Sequence, residues 1–271
     1  MNGARRVQPV LASAMVLALS GCAAAETPAT FEELCAADVV ERCDGTTVIV
    51  TDEATDDEIV VFAQEVLDAA EAEGARVVLS RERPWLSEDP APAPWSLEIS
   101  PGDDGEDVVA SLESMLLAAA MPDIVSYSVV QGWTYVTVTD IDRFAAVFQE
   151  LSGRDEFADG ATYTLSSGER LRIVHVPSRT SDEAILEIVD IARRLPEAEV
   201  LLDTLTTPGN QWPRLYVSGL TAEEVGELDA ALSDPRWADA DVEGYPLEYV
   251  LGAAGPDGTT YTTGTFGDVP S

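Results

Sequence analysis

The chain of 271 residues contains no lysine, one histidine and only three cysteines. All fifteen basic residues are arginine, and 50 acidic residues outnumber them, so the formal net charge is −35. Without lysine, no cofactor can be held through a Schiff base. A surface that follows nucleic-acid phosphates needs clustered Lys and Arg, so this charge excludes a nucleic-acid partner.

Recognisable catalytic and cofactor motifs are also missing. The sequence has no phosphate-binding loop, no dinucleotide fingerprint and no zinc motif, so we expect no cofactor and no metal. Apolar residues nevertheless make up 46% of the chain, which predicts packed globular structure despite the charge. At roughly 150 residues per domain, the length allows one large domain or two to three small ones.

The N-terminal segment has the layout of an export signal. Arg5 and Arg6 precede residues 7–20, an uncharged and mostly apolar run that is short for a membrane-spanning helix. The end of this run and the two residues after it, Leu19-Ser20-Gly21-Cys22, resemble the lipobox of bacterial lipoproteins. In that family the signal peptidase cleaves before the cysteine, and the cysteine thiol carries diacylglycerol.

This resemblance implies that residues 1–21 are a signal peptide and that Cys22 is lipidated. Cleavage removes two arginines and no acidic residue, so the net charge becomes −37. Two or three acyl chains anchor a protein stably, which predicts a place on the outer face of the cell membrane. An ordinary secretory signal with a chance cysteine, or an uncleaved anchor, would be the alternatives.

The other two cysteines, Cys35 and Cys43, form a candidate disulfide in an oxidising compartment. Thr30 and Glu33 match a capping box that begins a helix, and eight residues of unbroken helix would separate the two Cα atoms by about 12 Å. A disulfide needs less than about 7 Å. Either the helix ends between the two cysteines or they remain thiols.

A strand, a cap and an amphipathic helix recur three times along the chain. The strands are predicted at 46–50, 95–100 and 171–176. The first and third helices begin at capping boxes, formed by Thr55 with Glu58 and by Thr180 with Glu183. Each helix leads into a new strand.

The second and third segments continue through a hairpin into another helix, which Asp140 caps in one case and Thr221 with Glu224 in the other. The resulting βαββαβ order predicts an α+β fold of tandem split-βαβ (ferredoxin-like) units, with antiparallel sheets and both helices on one face. A partial βαβ repeat would precede them. Alternatively, residues 46–131 would form the first unit and residues 133–205 the second, and the C-terminal strands would extend a sheet.

The predicted organisation therefore has six parts. They are the signal peptide 1–21, a lipidated tether and short helix 22–45, a partial βαβ repeat with a proline-rich joint 46–93, βαββαβ units at 94–167 and 168–252, and a Gly/Thr-rich tail or hairpin 253–271.

Candidate catalytic residues are few. His175 lies in an apolar strand without a recognisable nucleophile, which indicates a structural strand histidine. Acidic clusters at 52–58, 103–107 and 239–243 lack the ligand spacing of a calcium loop, and the first two fall where helices begin. A hydrolase built on two carboxylates has no distinguishing pair among 50 acidic residues.

Aromatic residues recur near the two predicted hairpin turns, as Trp133 and Tyr135 and as Trp212 and Tyr216. On a sheet face that helices leave open they would form a binding platform; otherwise they would cover a contact between repeats. We therefore expect a non-enzymatic interaction module whose partner is an envelope protein or a cell-wall component. An extracytoplasmic receptor for a small solute or divalent cation is the alternative.

Overall fold

The computed structural model describes residues 30–82, 92–154, 157, 160–166, 168–176, 181–203, 214–242, 245–256 and 258–268. The helices are α1 Phe31–Leu34, α2 Asp56–Glu73, α3 Gly105–Ala119, α4 Ile141–Ser152, α5 Asp182–Arg194 and α6 Ala222–Leu232. The strands are β1 Val40–Asp44, β2 Thr47–Val50, β3 Val77–Arg81, β4 Trp95–Ile99, β5 Ile124–Val130, β6 Trp133–Val138, β7 Ala161–Leu165, β8 Gly168–His175, β9 Glu199–Asp203, β10 Arg214–Leu220, β11 Asp241–Val242, β12 Tyr245–Pro246, β13 Glu248–Gly255 and β14 Gly258–Thr265.

Twelve of these strands form one mixed sheet in the order of the chain, from β1 through β10 to β13 and β14. Pairs joined by a helix are parallel, as in β4 with β5, and the remaining neighbours are antiparallel, as in β5 with β6. Strands β11 and β12 form a separate two-stranded sheet. The chain therefore advances across the main sheet by alternating helical crossovers and direct antiparallel connections.

The prediction of tandem split-βαβ units with antiparallel sheets is wrong. In a split unit another strand inserts between the two strands that a helix joins. Here β4 and β5 flank α3 in the chain and are direct parallel neighbours, with Trp95 opposite Tyr127. The predicted boundary at 167/168 falls between β7 and β8, which pair with each other.

Local capping signals begin the helices largely where the sequence indicates. The capping boxes of Thr30 with Glu33, Thr55 with Glu58 and Thr221 with Glu224 are confirmed, because each threonine accepts from the glutamate N–H and each glutamate accepts from the threonine N–H. Asp140 caps α4 as predicted. Helix α5 is capped by Ser181 rather than by Thr180, which lies outside the described residues.

The core lies between the helices and one face of the sheet. Helix α2 packs beside α3, and α4 packs beside α5. Eight side chains that lie opposite one another on neighbouring strands form a row under these helices. All eight are almost fully buried: Trp95, Tyr127, Val136, Tyr163, Ile173, Leu202, Leu215 and Tyr249. Because successive strand residues point to opposite faces, the alternate positions lie on the other side of the sheet.

A disulfide joins Cys35 to Cys43, with the Cα atoms 5.8 Å apart. Helix α1 ends at Leu34, and the chain then turns into β1. The helix therefore ends before it can separate the two cysteines. The crosslink ties the end of α1 to the first strand of the sheet.

Replacing Cys35 and Cys43 with serine is expected to lower the free energy of unfolding by about 2–3 kcal/mol, because the crosslink restricts the unfolded chain. Urea denaturation of the double variant and of the wild type under non-reducing conditions measures the difference. Equal midpoints would show that the bond does not stabilise the fold.

Candidate binding face

The face of the sheet opposite the core row carries hydroxyl groups in register. Five of them follow one another across neighbouring strands: Ser80, Ser96, Ser128, Tyr135 and Thr162. A second, shorter row consists of Ser126, Thr137 and Thr164. We call these eight residues the hydroxyl face. With strands about 4.8 Å apart, the longer row spans about 19 Å.

Two aromatic side chains of β6 lie on this face. The Trp133 indole N–H donates to the Thr162 hydroxyl at 2.8 Å, which fixes the ring against β7. Tyr135 is 44% exposed, and its position in the longer row places it between Ser128 and Thr162. The structure thus gathers two of the four predicted aromatic binding residues.

The other aromatic candidates are not part of this group. Tyr216 is on β10, in register with Leu201 on β9, so four strand spacings separate its strand from β6. Trp212 lies outside the described residues. Trp95, which flanks the proline-rich joint, is buried in the core.

No charged side chain interrupts either row of register partners, although 50 of the 271 residues are acidic. Charged side chains of the described strands lie beside the rows. Glu98 follows Ser96 by two positions and pairs with Arg76 at 3.2 Å, and Arg172 lies opposite Thr164. The centre of the face is therefore a neutral patch on a strongly anionic protein.

His175 lies on the opposite, helix-covered face and is only 1% exposed. Its ring meets Phe148 edge-on with centroids 4.7 Å apart, and its Nε2 is 3.4 Å from an Asp182 carboxylate oxygen. Burial lowers the pKa of His175 to about 4, and the Asp182 carboxylate only partly opposes this shift. The expectation of a structural strand histidine agrees with this position.

The acidic clusters at helix starts serve local structure where they are described. Asp104 caps α3 by accepting from the Glu106 N–H, and Asp103 accepts from the Ser100 N–H. In the part of the chain that the structure describes, no group of three or more His, Cys, Asp and Glu side chains could hold a metal ion.

A groove of about 530 Å³ lies between the start of α2 and the segments that flank β1 and β2. Val61, which is 67% exposed, and Phe62 contribute apolar surface to it. Carboxylates contribute the polar lining: Asp38, Glu53, Asp57, Glu58 and Glu65. Three of these carboxylates belong to the acidic cluster at 52–58, but the groove itself was not predicted from the sequence.

The hydroxyl face, too, was not predicted from the sequence. Its only sequence signal is a hydroxyl at every second position of consecutive strands, as in residues 126–128, 135–137 and 162–164. That alternation indicates a face but not which strands are neighbours, so the rows emerge only from the register.

Comparisons with protein families, with characterised proteins and with solved structures find no match for this chain.

Proposed function

We propose that this protein is a lipid-anchored, non-enzymatic binding module on the outer face of the cell membrane, and that the hydroxyl face is its binding surface. The observation that supports this proposal is a neutral patch with aromatic side chains on an otherwise acidic chain. Binding surfaces are depleted of charged residues at their centre and enriched in tyrosine and tryptophan. The partner is an envelope protein or a cell-wall component.

The anchor in this proposal is Cys22, which lies outside the described residues. Eight residue steps separate Cys22 from Thr30, so the tether spans at most about 29 Å. The described helices include none that is long and apolar enough to cross a bilayer. A lipidated Cys22 would hold the sheet close to the membrane surface, where envelope components are within reach.

A photo-crosslinking amino acid at position 135 in living cells tests the binding surface. We expect a defined envelope partner to be captured there, and not from position 117, where Leu117 is 44% exposed on α3. Equal capture from both positions would contradict the assignment, and no capture from either would exclude a protein partner on this face. A Cys22→Ala variant, which should leave the membrane fraction, tests the anchor independently.

Placing a charge on the face is expected to prevent binding. Tyr135→Glu should lower the captured fraction by at least about tenfold, because it buries an unpaired carboxylate in the contact. The captured fraction is read with the photo-crosslinker at position 128. Leu117→Glu is the control, and an equal loss in both variants would point to a general effect of added charge.

The groove beside α2 supports the alternative function, a receptor for a small solute, because its volume falls within the range of small-ligand sites. Its carboxylates favour a cationic organic solute. Spermidine should then raise the Tm of the wild type, and a Glu53→Gln, Asp57→Asn variant should lose the increase. An unchanged Tm would exclude spermidine as a ligand of this groove.

A further inference from the structure

We propose that the hydroxyl face binds an uncharged polysaccharide. This inference rests on the binding role proposed above and names its ligand class. Three observations support it: the rows of hydroxyl groups, the exposed aromatic ring of Tyr135 in one of them, and the net charge of the chain.

The hydroxyl groups match the chemistry of a sugar. Each Ser, Thr or Tyr hydroxyl donates one hydrogen bond and accepts others, as a sugar hydroxyl does. Thr137 and Thr164 already contact each other, with their oxygens 3.3 Å apart. The hydroxyls of Ser96, Ser128 and Tyr135 form no hydrogen bond with any of the described residues, so within that part of the chain they are available to a ligand.

The aromatic pair supplies a stacking surface beside these hydroxyls. An aromatic ring has a negative face, which attracts the weakly positive C–H groups that line one side of a sugar ring. Tyr135 is exposed, and Trp133 is held in place by Thr162. Ser80 and Thr162, at the ends of the longer row, are only 7% and 6% exposed, so the accessible hydroxyls of Ser96, Ser128 and Tyr135 span about 10 Å over three strands. That length exceeds a single sugar ring and fits consecutive units of a chain.

The composition favours a polysaccharide over a protein. Protein interfaces are depleted of serine, and serine and threonine are under-represented among the residues that dominate their binding energy. The hydroxyls form two unbroken rows of register partners, and the exposed aliphatic side chain of Val130, opposite Trp133, lies beside the rows rather than within them. A protein partner would therefore find its apolar anchors beside the rows, whereas the rows themselves offer hydrogen-bonding groups.

The electrostatic field restricts the ligand to uncharged polymers. After cleavage of the signal peptide, the net charge of −37 disfavours the approach of phosphate- and carboxylate-bearing chains. The hydroxyl face itself has no carboxylate that would select a cation. Contact there should thus depend little on salt.

Co-sedimentation of the full-length lipoprotein in neutral detergent with insoluble polysaccharides tests this proposal. Chitin, cellulose and crosslinked dextran are the uncharged probes, and crosslinked polygalacturonate is the anionic comparison. We expect retention on at least one uncharged probe and none on polygalacturonate. Raising the salt from about 0.05 M to about 0.5 M should change this retention less than about twofold.

Variants of the face separate specific binding from general adhesion. Tyr135→Ala should weaken retention about tenfold, and Tyr135→Phe, which keeps the ring, should weaken it less. The Ser96→Ala, Ser128→Ala double variant should weaken it several-fold. Tyr261→Ala on β14, where the side chain is 69% exposed, is the control and should bind like the wild type.

Absence of retention on all three uncharged probes would overturn the ligand assignment, as would equal retention of the Tyr135→Ala and Tyr261→Ala variants. If position 135 still captured an envelope protein in cells, the binding role proposed above would stand without the polysaccharide. If position 135 captured nothing and no probe retained the protein, both proposals would fall.

Discussion

Replacing Gly160 with alanine is expected to lower the free energy of unfolding by more than about 3 kcal/mol. Gly160 has a φ of +107°, a backbone conformation that side chains with a Cβ rarely adopt. An added Cβ would lie 2.6 Å from the backbone oxygen of His175 and 3.0 Å from Trp133 and Val176 atoms. The His175 backbone pairs with Ala161 in the sheet, so it cannot easily withdraw.

Urea denaturation of Gly160→Ala beside Gly226→Ala measures this effect. Gly226 is in the middle of α6, and a Cβ there would meet nothing within 4 Å. That control should gain up to about 1 kcal/mol, because alanine favours a helix. If Gly160→Ala were as stable as the wild type, that result would contradict the close contact between Gly160 and the backbone of β8. A displaced Trp133 should also weaken binding at the hydroxyl face.

Acidification is expected to destabilise the protein through His175 by about 3 kcal/mol in total. The pKa of His175 is lowered to about 4 by burial, whereas an unfolded histidine has a pKa near 6.5. Between these values the unfolded chain binds a proton that the folded chain does not. The stabilising contribution is therefore complete above pH 6.5 and is lost as the pH falls towards 4.

His175→Leu should lack this loss, because leucine does not titrate. The measurement is the difference in unfolding free energy between wild type and variant at several pH values, since repulsion among the carboxylates changes in both proteins alike. That difference should fall with decreasing pH from about 6.5 to 4. A constant difference would show that His175 titrates normally in the folded protein.

Other groups affect stability below this range. Hydrogen bonds from the Thr30, Thr55 and Thr221 N–H groups lower the pKa of Glu33, Glu58 and Glu224. Their contributions are present above the ordinary glutamate pKa and are lost as the pH falls through the lowered values. Measurements between pH 6.5 and 4.5 therefore report mainly on His175.

Local elements could be predicted from the sequence because local interactions determine them. The capping box of Thr55 with Glu58 needs only residues three positions apart, and the strand of residues 46–50 shows its β-branched pattern directly. Strand order could not be predicted in the same way. The same succession of strands and helices along the chain is compatible with two arrangements. A new strand can insert between two others, or it can add at the edge of the sheet.

The candidate site was partly predictable for the same reason. Trp133 and Tyr135 are two positions apart on one strand, so their shared face follows from strand geometry. Tyr216 was grouped with them because two equivalent units were expected, but a single sheet places it four strands away. The rows of hydroxyls depend on the register between strands, which no single segment encodes.

The strand order of the main sheet also has a kinetic consequence. Paired residues of the described sheet are at most 34 positions apart in the chain, as for Arg214 and Glu248. Such a low contact order favours fast folding, because little chain entropy is lost before each pairing forms. Folding can begin at any βαβ crossover and spread to its neighbours, as in repeat proteins. Amide hydrogen exchange should therefore be fastest at β1 and β14, the two ends of the sheet, and slow towards the middle.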